Sequence, residues 1–176
     1  MAGSRRQGRC DLRRECPLIF VTVGYQMSFD RLVMAVDEWA GRNSELEFFA
    51  QIGPTDSRPA HMPFTEFMDP EEFRDRIQSA SLVISHAGMG SILTAMEFQT
   101  PILIMPRLGD LHETRNDHQV ATVQKMVGRH GIMTAMDPSE LFTILDGGGF
   151  SERPEEISSA ANPELLEYLR GFIRGD

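Results

Sequence analysis

Leu82-Val83-Ile84-Ser85-His86-Ala87-Gly88-Met89-Gly90-Ser91 is the stretch from which the rest of the chain can be organised. Its β-branched, apolar opening reads as a strand buried on both faces. The glycines and the apolar run after them read as a turn into a helix from Gly90 to about Phe98. A strand that passes through a glycine turn into a helix is half of a parallel βαβ unit. The alternation extends in both directions. Upstream, Leu18 to Val23 is a strand ending at Gly24. Phe29, Leu32, Val33, Val36 and Trp39 recur at helical spacing, which predicts a helix over Asp30 to Arg42. Leu46 to Ile52 is a second strand, closed by Gly53-Pro54, and Phe64 to Met68 is a short third. Asp69-Pro70-Glu71-Glu72 then combines an N-cap, a proline suited to the first helical position and a capping-box glutamate. Downstream, Pro101 to Met105 is a strand, Arg115 to Arg129 a helix with Val120, Val123 and Val127 on one side, and Ile132 to Met136 a strand. Asp137-Pro138-Ser139-Glu140 opens a last capped helix. The fold class expected is α/β, a Rossmann-like parallel sheet with helices on both faces.

Composition narrows the function classes. Hydrophobic residues make up 41% and charged residues 24% of 176, which is ordinary for a globular chain. A net charge of −9 speaks against binding nucleic acid through cation–phosphate contacts. The 2 cysteines, Cys10 and Cys16, match no zinc spacing and suggest no disulfide framework, so a reducing cytoplasm is expected. No apolar run approaches the roughly 18 residues of a membrane span. Four segments are expected: a flexible basic leader over 1–16, a folded unit over 17–147, a linker over 148–161 and an amphipathic helix over 162–176. The leader reads as a disordered end or as a weak attraction for anionic lipid or an acidic partner. In the final helix Leu165, Tyr168, Leu169, Phe172 and Ile173 form one apolar stripe, which can pack on the domain's own sheet or on another chain.

In an open parallel sheet, ligands bind beyond the carboxyl ends of the strands. Three loops there carry unusual residues: Gly24 to Ser28, Ser85 to Ser91, and Pro106 to Gln119. Gly88 and Gly90 allow close backbone approach and free the first N–H groups of the next helix, with the Ser91 hydroxyl beside them and His86 just upstream. Such a helix start attracts anions, phosphate above all. A glycine turn that serves packing alone is the other reading. A dinucleotide fingerprint would need a third glycine where Leu93 stands, and the acidic residue expected at the end of strand two is missing from Gln51-Ile52-Gly53. The third loop holds Arg107, Asp110, His112, Glu113, Arg115, Asn116, Asp117, His118 and Gln119, too many polar groups for a simple connector. His112 and His118 lack the spacing of a metal pair, so no metal and no cofactor is expected. His61 reads as an isolated loop residue and His130 as part of a helix end.

The order Val21-Thr22-Val23-Gly24, Phe29-Asp30, Gln51-Ile52-Gly53, Ser85-His86-Ala87-Gly88-x-Gly90-Ser91, Pro101 to Pro106 and Asn116-Asp117-His118-Gln119 resembles the C-terminal domain of glycosyltransferase family 28. The resemblance covers Leu18 to Ala135 and is nearest to small members that form the donor-binding half of split enzymes, of the dolichol-linked N-acetylglucosaminyltransferase or exopolysaccharide glucuronosyltransferase type. It implies half of a GT-B glycosyltransferase that binds a UDP-sugar, with glucuronic acid or N-acetylglucosamine as the sugar. The sugar would pass, with inversion, to a lipid-linked saccharide. A membrane-associated partner would bind that acceptor and recruit the chain to the cytoplasmic face of the membrane. A non-catalytic UDP-sugar-binding regulatory subunit is the alternative.

By the same resemblance, Gly24 and Gln26 match a loop near the diphosphate, and Phe67-Met68 a segment that contacts uracil. Gly88, Gly90 and Ser91 match the diphosphate-facing helix start, and His118 and Gln119 lie near the donor sugar. Tyr25 replaces a small hydroxyl residue of many members, and Thr94 a glutamate that several place on the ribose. His86, Glu113 and Asn116 complete the substrate-binding candidates, and His118 is the single catalytic candidate within the chain. The absence of an Asp-x-Asp motif fits metal-independent transfer.

Overall fold

The computed structural model describes residues 18–156. The basic leader and the C-terminal helix lie outside the described residues, as does the linker beyond residue 156. Six strands form one sheet, β1 (Leu18–Thr22), β2 (Glu47–Gln51), β3 (Phe64–Thr65), β4 (Leu82–His86), β5 (Ile102–Met105) and β6 (Ile132–Thr134). Their order is β3-β2-β1-β4-β5-β6, and every pairing is parallel. In register, Val21 lies between Ala50 of β2 and Ile84 of β4.

Five helices cover the sheet: α1 (Asp30–Arg42), α2 (Pro70–Ser79), α3 (Met89–Glu97), α4 (His118–Met126) and α5 (Pro138–Gly147). Successive strand side chains point to opposite faces, so each apolar strand feeds two cores. On one face Ile19, Val21, Leu82, Ile84 and Leu103 meet Leu32, Val36 and Trp39 of α1 and Leu141 and Leu145 of α5. On the other, Phe20, Val83, Ile102 and Ile104 meet Ile77 of α2, Ile92 and Ala95 of α3 and Val123 of α4. Helices on both faces explain why the strands lack the polar alternation of a half-exposed sheet. No helix among the described residues is long and apolar enough to cross a membrane.

Helix α1 has the bounds its periodicity predicts, and α2 starts where Asp69 caps it. The capping box is only half formed, because the Glu72 carboxylate turns to Arg76. Helix α4 is shorter than expected. Asp117 accepts from Gly109 N at 2.8 Å, and Asn116 Oδ1 from His118 N at 3.3 Å, so the chain before His118 belongs to the loop. Val127, expected on the packing side, lies past the helix end and is exposed, while Gln119 is buried near Val123. The first part of the expected linker packs against the domain: Phe150 joins the core, and the Arg153–Pro154 backbone lies against Gly131.

Candidate functional site

Strand order turns between β1 and β4, one leading toward β2 and the other toward β5. A crevice opens at such a switch point because the connections on its two sides run to opposite faces. Here it is a cleft of about 640 Å³, within the usual range of small-ligand sites. Its walls are the turn after β1 (Val23 to Met27), the turn after β4 (Gly88, Gly90, Ser91), Met68 to Pro70 with Phe73, and Arg107, Thr114, His118 and Gln119.

His86 organises the two turns. A Cβ on Gly88 would lie 2.1 Å from His86 Nε2, and one on Gly24 2.6 Å from His86 Cε1. Real carbon–nitrogen contacts are far longer, so the imidazole occupies space that only glycines leave. Gly24 also has φ +76, where other residues are strained. The glycine at 88 therefore first serves packing against His86. Gly90 differs, with nothing within 4 Å of a Cβ placed there. Burial, helped by the charges of Arg107 and His118, pulls the His86 pKa down to about 3 against a weak opposing effect of the Thr22 backbone. The ring is accordingly neutral at neutral pH.

Two helices of the same layer begin at this cleft. At α2 the Asp69 carboxylate accepts from Glu72 N at 2.8 Å and so fills its own helix start. At α3 the N-cap is Gly88, which has no side chain to do this. Among the described residues the amides of Met89, Gly90 and Ser91 have no protein acceptor. Open amides at the positive end of a helix dipole form an anion site.

Arg107 is the one buried arginine or lysine among the described residues, 5% exposed. Its Nη2 donates to Val23 O at 2.8 Å and to Met27 O, and its guanidinium lies 5.2 Å from the centre of the Phe29 ring. Its Nε has no partner. Burial draws its pKa down to about 10, against the pull of Glu113. Gln119 Oε1 accepts from Arg107 N at 3.1 Å. Thr22 donates to Gln51 Oε1 at 2.7 Å; both residues are buried, and Gln51 lines the cleft.

Of the candidate residues, Gly24, Tyr25, Gln26, Met68, His86, Gly88, Gly90, Ser91, His118 and Gln119 line the cleft. Four do not. Phe67 forms its rim, stacked at a tilt 5.6 Å from Tyr25. Its carbonyl accepts from Thr65 Oγ1 at 2.7 Å. Thr94 bonds back to Gly90 O at 2.9 Å. Asn116 Oδ1 faces His118 Nδ1, and His118 Nε2 has no protein partner among the described residues. Glu113, expected among the substrate contacts, does not line the cleft and has partners within the protein. It takes a two-pronged contact from Arg31 at 2.9 and 2.8 Å and accepts from Leu108 N at 2.9 Å. Two residues that line the cleft, Gln51 and Arg107, are absent from the candidate set: the sequence offers Gln51 only within the Gln51-Ile52-Gly53 motif and Arg107 only among the polar residues of the third loop. A polar residue closing an apolar strand, as Gln51 does, was the available signal. His61 is not isolated either: its amide and Nδ1 meet the buried Asp37 carboxylate at 2.7 and 3.2 Å, which fastens the 53–63 loop to α1.

Residues 18–162 match the glycosyltransferase family 28 C-terminal domain. The chain belongs to that family. No curated protein matches it. Among solved structures, the family 28 domain is similar to the glycotransferase of kitacinnamycin, with TM-score 0.58 and 18% identity, over 99% of this chain and 43% of that one. It is similar to ALG13, solved by NMR, with TM-score 0.51 and 19% identity, over 88% of this chain and 95% of that one. Os79 from O. sativa, in complex with UDP and deoxynivalenol-3-glucoside, gives TM-score 0.50 and 14% identity, over 93% of this chain and 37% of that one. The family 28 domain thus spans under half the length of the kitacinnamycin enzyme and of Os79 and nearly all of ALG13. The sheet and its helices are those of a GT-B glycosyltransferase's Rossmann-like domain.

Proposed function

We propose that the cleft binds the diphosphate of a UDP-sugar on the open α3 amides, and that the chain is the donor-binding part of a split, inverting glycosyltransferase. The observation that carries this is the contrast between a self-capped α2 and an uncapped α3 at one switch-point cleft, in a family 28 domain. Diphosphate oxygens would accept from Met89, Gly90 and Ser91 N–H, with the Ser91 hydroxyl in reach. The Tyr25–Phe67 rim and Met68 offer an apolar surface for the uracil ring. His118 Nε2 and Gln119 Nε2, neither with a protein partner among the described residues, suit the hydroxyls of the sugar.

In the reaction, an acceptor hydroxyl attacks the anomeric carbon, and the bond from that carbon to the diphosphate oxygen breaks. The acceptor proton passes to a base, and UDP leaves with the electron pair. Helix N–H groups stabilise the charge that grows on the diphosphate, as preformed dipoles do best. Positioning of the donor, rather than proton removal, is the role we assign to His118. The base and the acceptor site then belong to a membrane-associated partner, which would bring the domain to the cytoplasmic face. Glucuronic acid and N-acetylglucosamine are the sugars proposed, and a lipid-linked saccharide the acceptor.

Calorimetric titration with UDP, ADP and NAD tests the ligand class. Saturable binding of UDP with ADP and NAD inert is expected. Binding of NAD alone would refute the reading. Transfer from a UDP-sugar by the chain with its partner, absent from the chain alone, separates an enzyme from a regulatory subunit.

A further inference from the structure

Arg107 is held in an unusual balance. Arginine is rarely buried without a carboxylate of its own. Glu113, the carboxylate that acts on Arg107, is already gripped by Arg31 and by Leu108 N. What remains to Arg107 is two backbone carbonyls, an aromatic face and an Nε without a partner. The two carbonyls, Val23 and Met27, bracket Gly24-Tyr25-Gln26, so the side chain fixes the turn after β1 from the far wall. Its backbone amide in turn fixes Gln119. A buried cation with no carboxylate bonded to it is costly, and an anion entering beside it would relieve that cost. The residue lines the same cleft as the open α3 amides.

We infer that Arg107 is the positioning residue through which the cleft distinguishes a nucleoside diphosphate from a bare nucleoside. It acts by holding the turn after β1 and by supplying fixed positive charge behind it, without contact to the reacting atoms. The Arg107 guanidinium reaches the spot between the two glycine turns, since the carbonyls it holds flank Gly24, which packs against the His86 ring. The inference rests on the nucleotide-sugar reading and goes beyond it by naming where the charge discrimination resides.

The test is calorimetry with UDP and with uridine on the full chain and on the variants R107Q, R107M and R107K, each checked by thermal melting. With wild type, UDP is expected to bind more tightly than uridine. R107Q should weaken UDP binding about tenfold or more and uridine binding less than about twofold, as befits loss of a charge-assisted contribution. R107M serves the same purpose should R107Q not fold, and its apolar side chain leaves no new polar group unpaired. R107K keeps a cation but loses the planar fork that spans Val23 O and Met27 O, so its UDP affinity should fall between that of R107Q and wild type. An equal loss for UDP and uridine in a folded neutral variant would overturn the inference, because a merely structural role affects both. So would a neutral variant with unchanged UDP affinity. If wild type binds no UDP at all, the donor reading itself fails and takes the inference with it.

Discussion

Helices α2 and α3 begin at the same cleft and in the same layer of the fold, yet they end their free amides differently. The first carries Asp69 and closes itself. The second carries Gly88 and stays open. An N-cap side chain contributes about 1 kcal/mol to a helix, so an uncapped start forgoes stability that a one-residue change could supply. At α3 the change is blocked, because His86 occupies the space of any Gly88 side chain. The difference teaches that the open start is held open by packing, which leaves its amides available to an external acceptor.

The largest effect should come from making α3 resemble α2. Gly90→Asp brings a carboxylate into the first turn, and nothing within 4 Å of its Cβ obstructs it. The fold should persist with a melting temperature at or above that of wild type, because a first-turn carboxylate suits the helix dipole, while UDP affinity falls about 100-fold or more through steric block and like-charge repulsion at close range. Calorimetry and a melt on the same sample check both halves. Next is Gly88→Ala, which drives a methyl group into the His86 ring. Overpacking of this kind costs about 1–3 kcal/mol, and we expect the loss in chemical denaturation together with a weakened cleft. Asp69→Ala works from the other side by opening α2. It should cost about 1 kcal/mol of stability, with UDP affinity changed far less than by Gly90→Asp.

The smallest effect at neutral pH concerns His86. Its folded pKa, about 3, lies below the ordinary 6.5. The unfolded chain therefore takes up the proton first, and stability falls as pH drops from about 6.5 toward 3. His86→Asn should flatten that part of the profile relative to wild type, measured by urea unfolding at several pH values. An identical slope in the two proteins would show that His86 is not the group responsible.

Much of the fold was legible because buried strands and capped helices write local signals. Leu18 to Thr22, Leu82 to His86 and the Asp69-Pro70 start each announce themselves within a few residues. The site was legible only as three loops. What each side chain does there depends on distant partners. Glu113 meets Arg31 across 82 positions, and Arg107 meets Val23 across 84. No local pattern in Pro106 to Gln119 distinguishes a loop anchor from a ligand contact. The role of Gly88 was hidden for a related reason. It follows from the placement of the His86 ring against two turns that adjoin only because β1 pairs with β4.

The most direct test follows amide resonances of the isotopically labelled chain during titration with UDP. Shifts concentrated at Met89, Gly90 and Ser91, with those of Glu71 and Glu72 little moved, are the predicted result. Shifts centred on the start of α2, or saturable UDP binding that leaves the start of α3 unmoved, would contradict it.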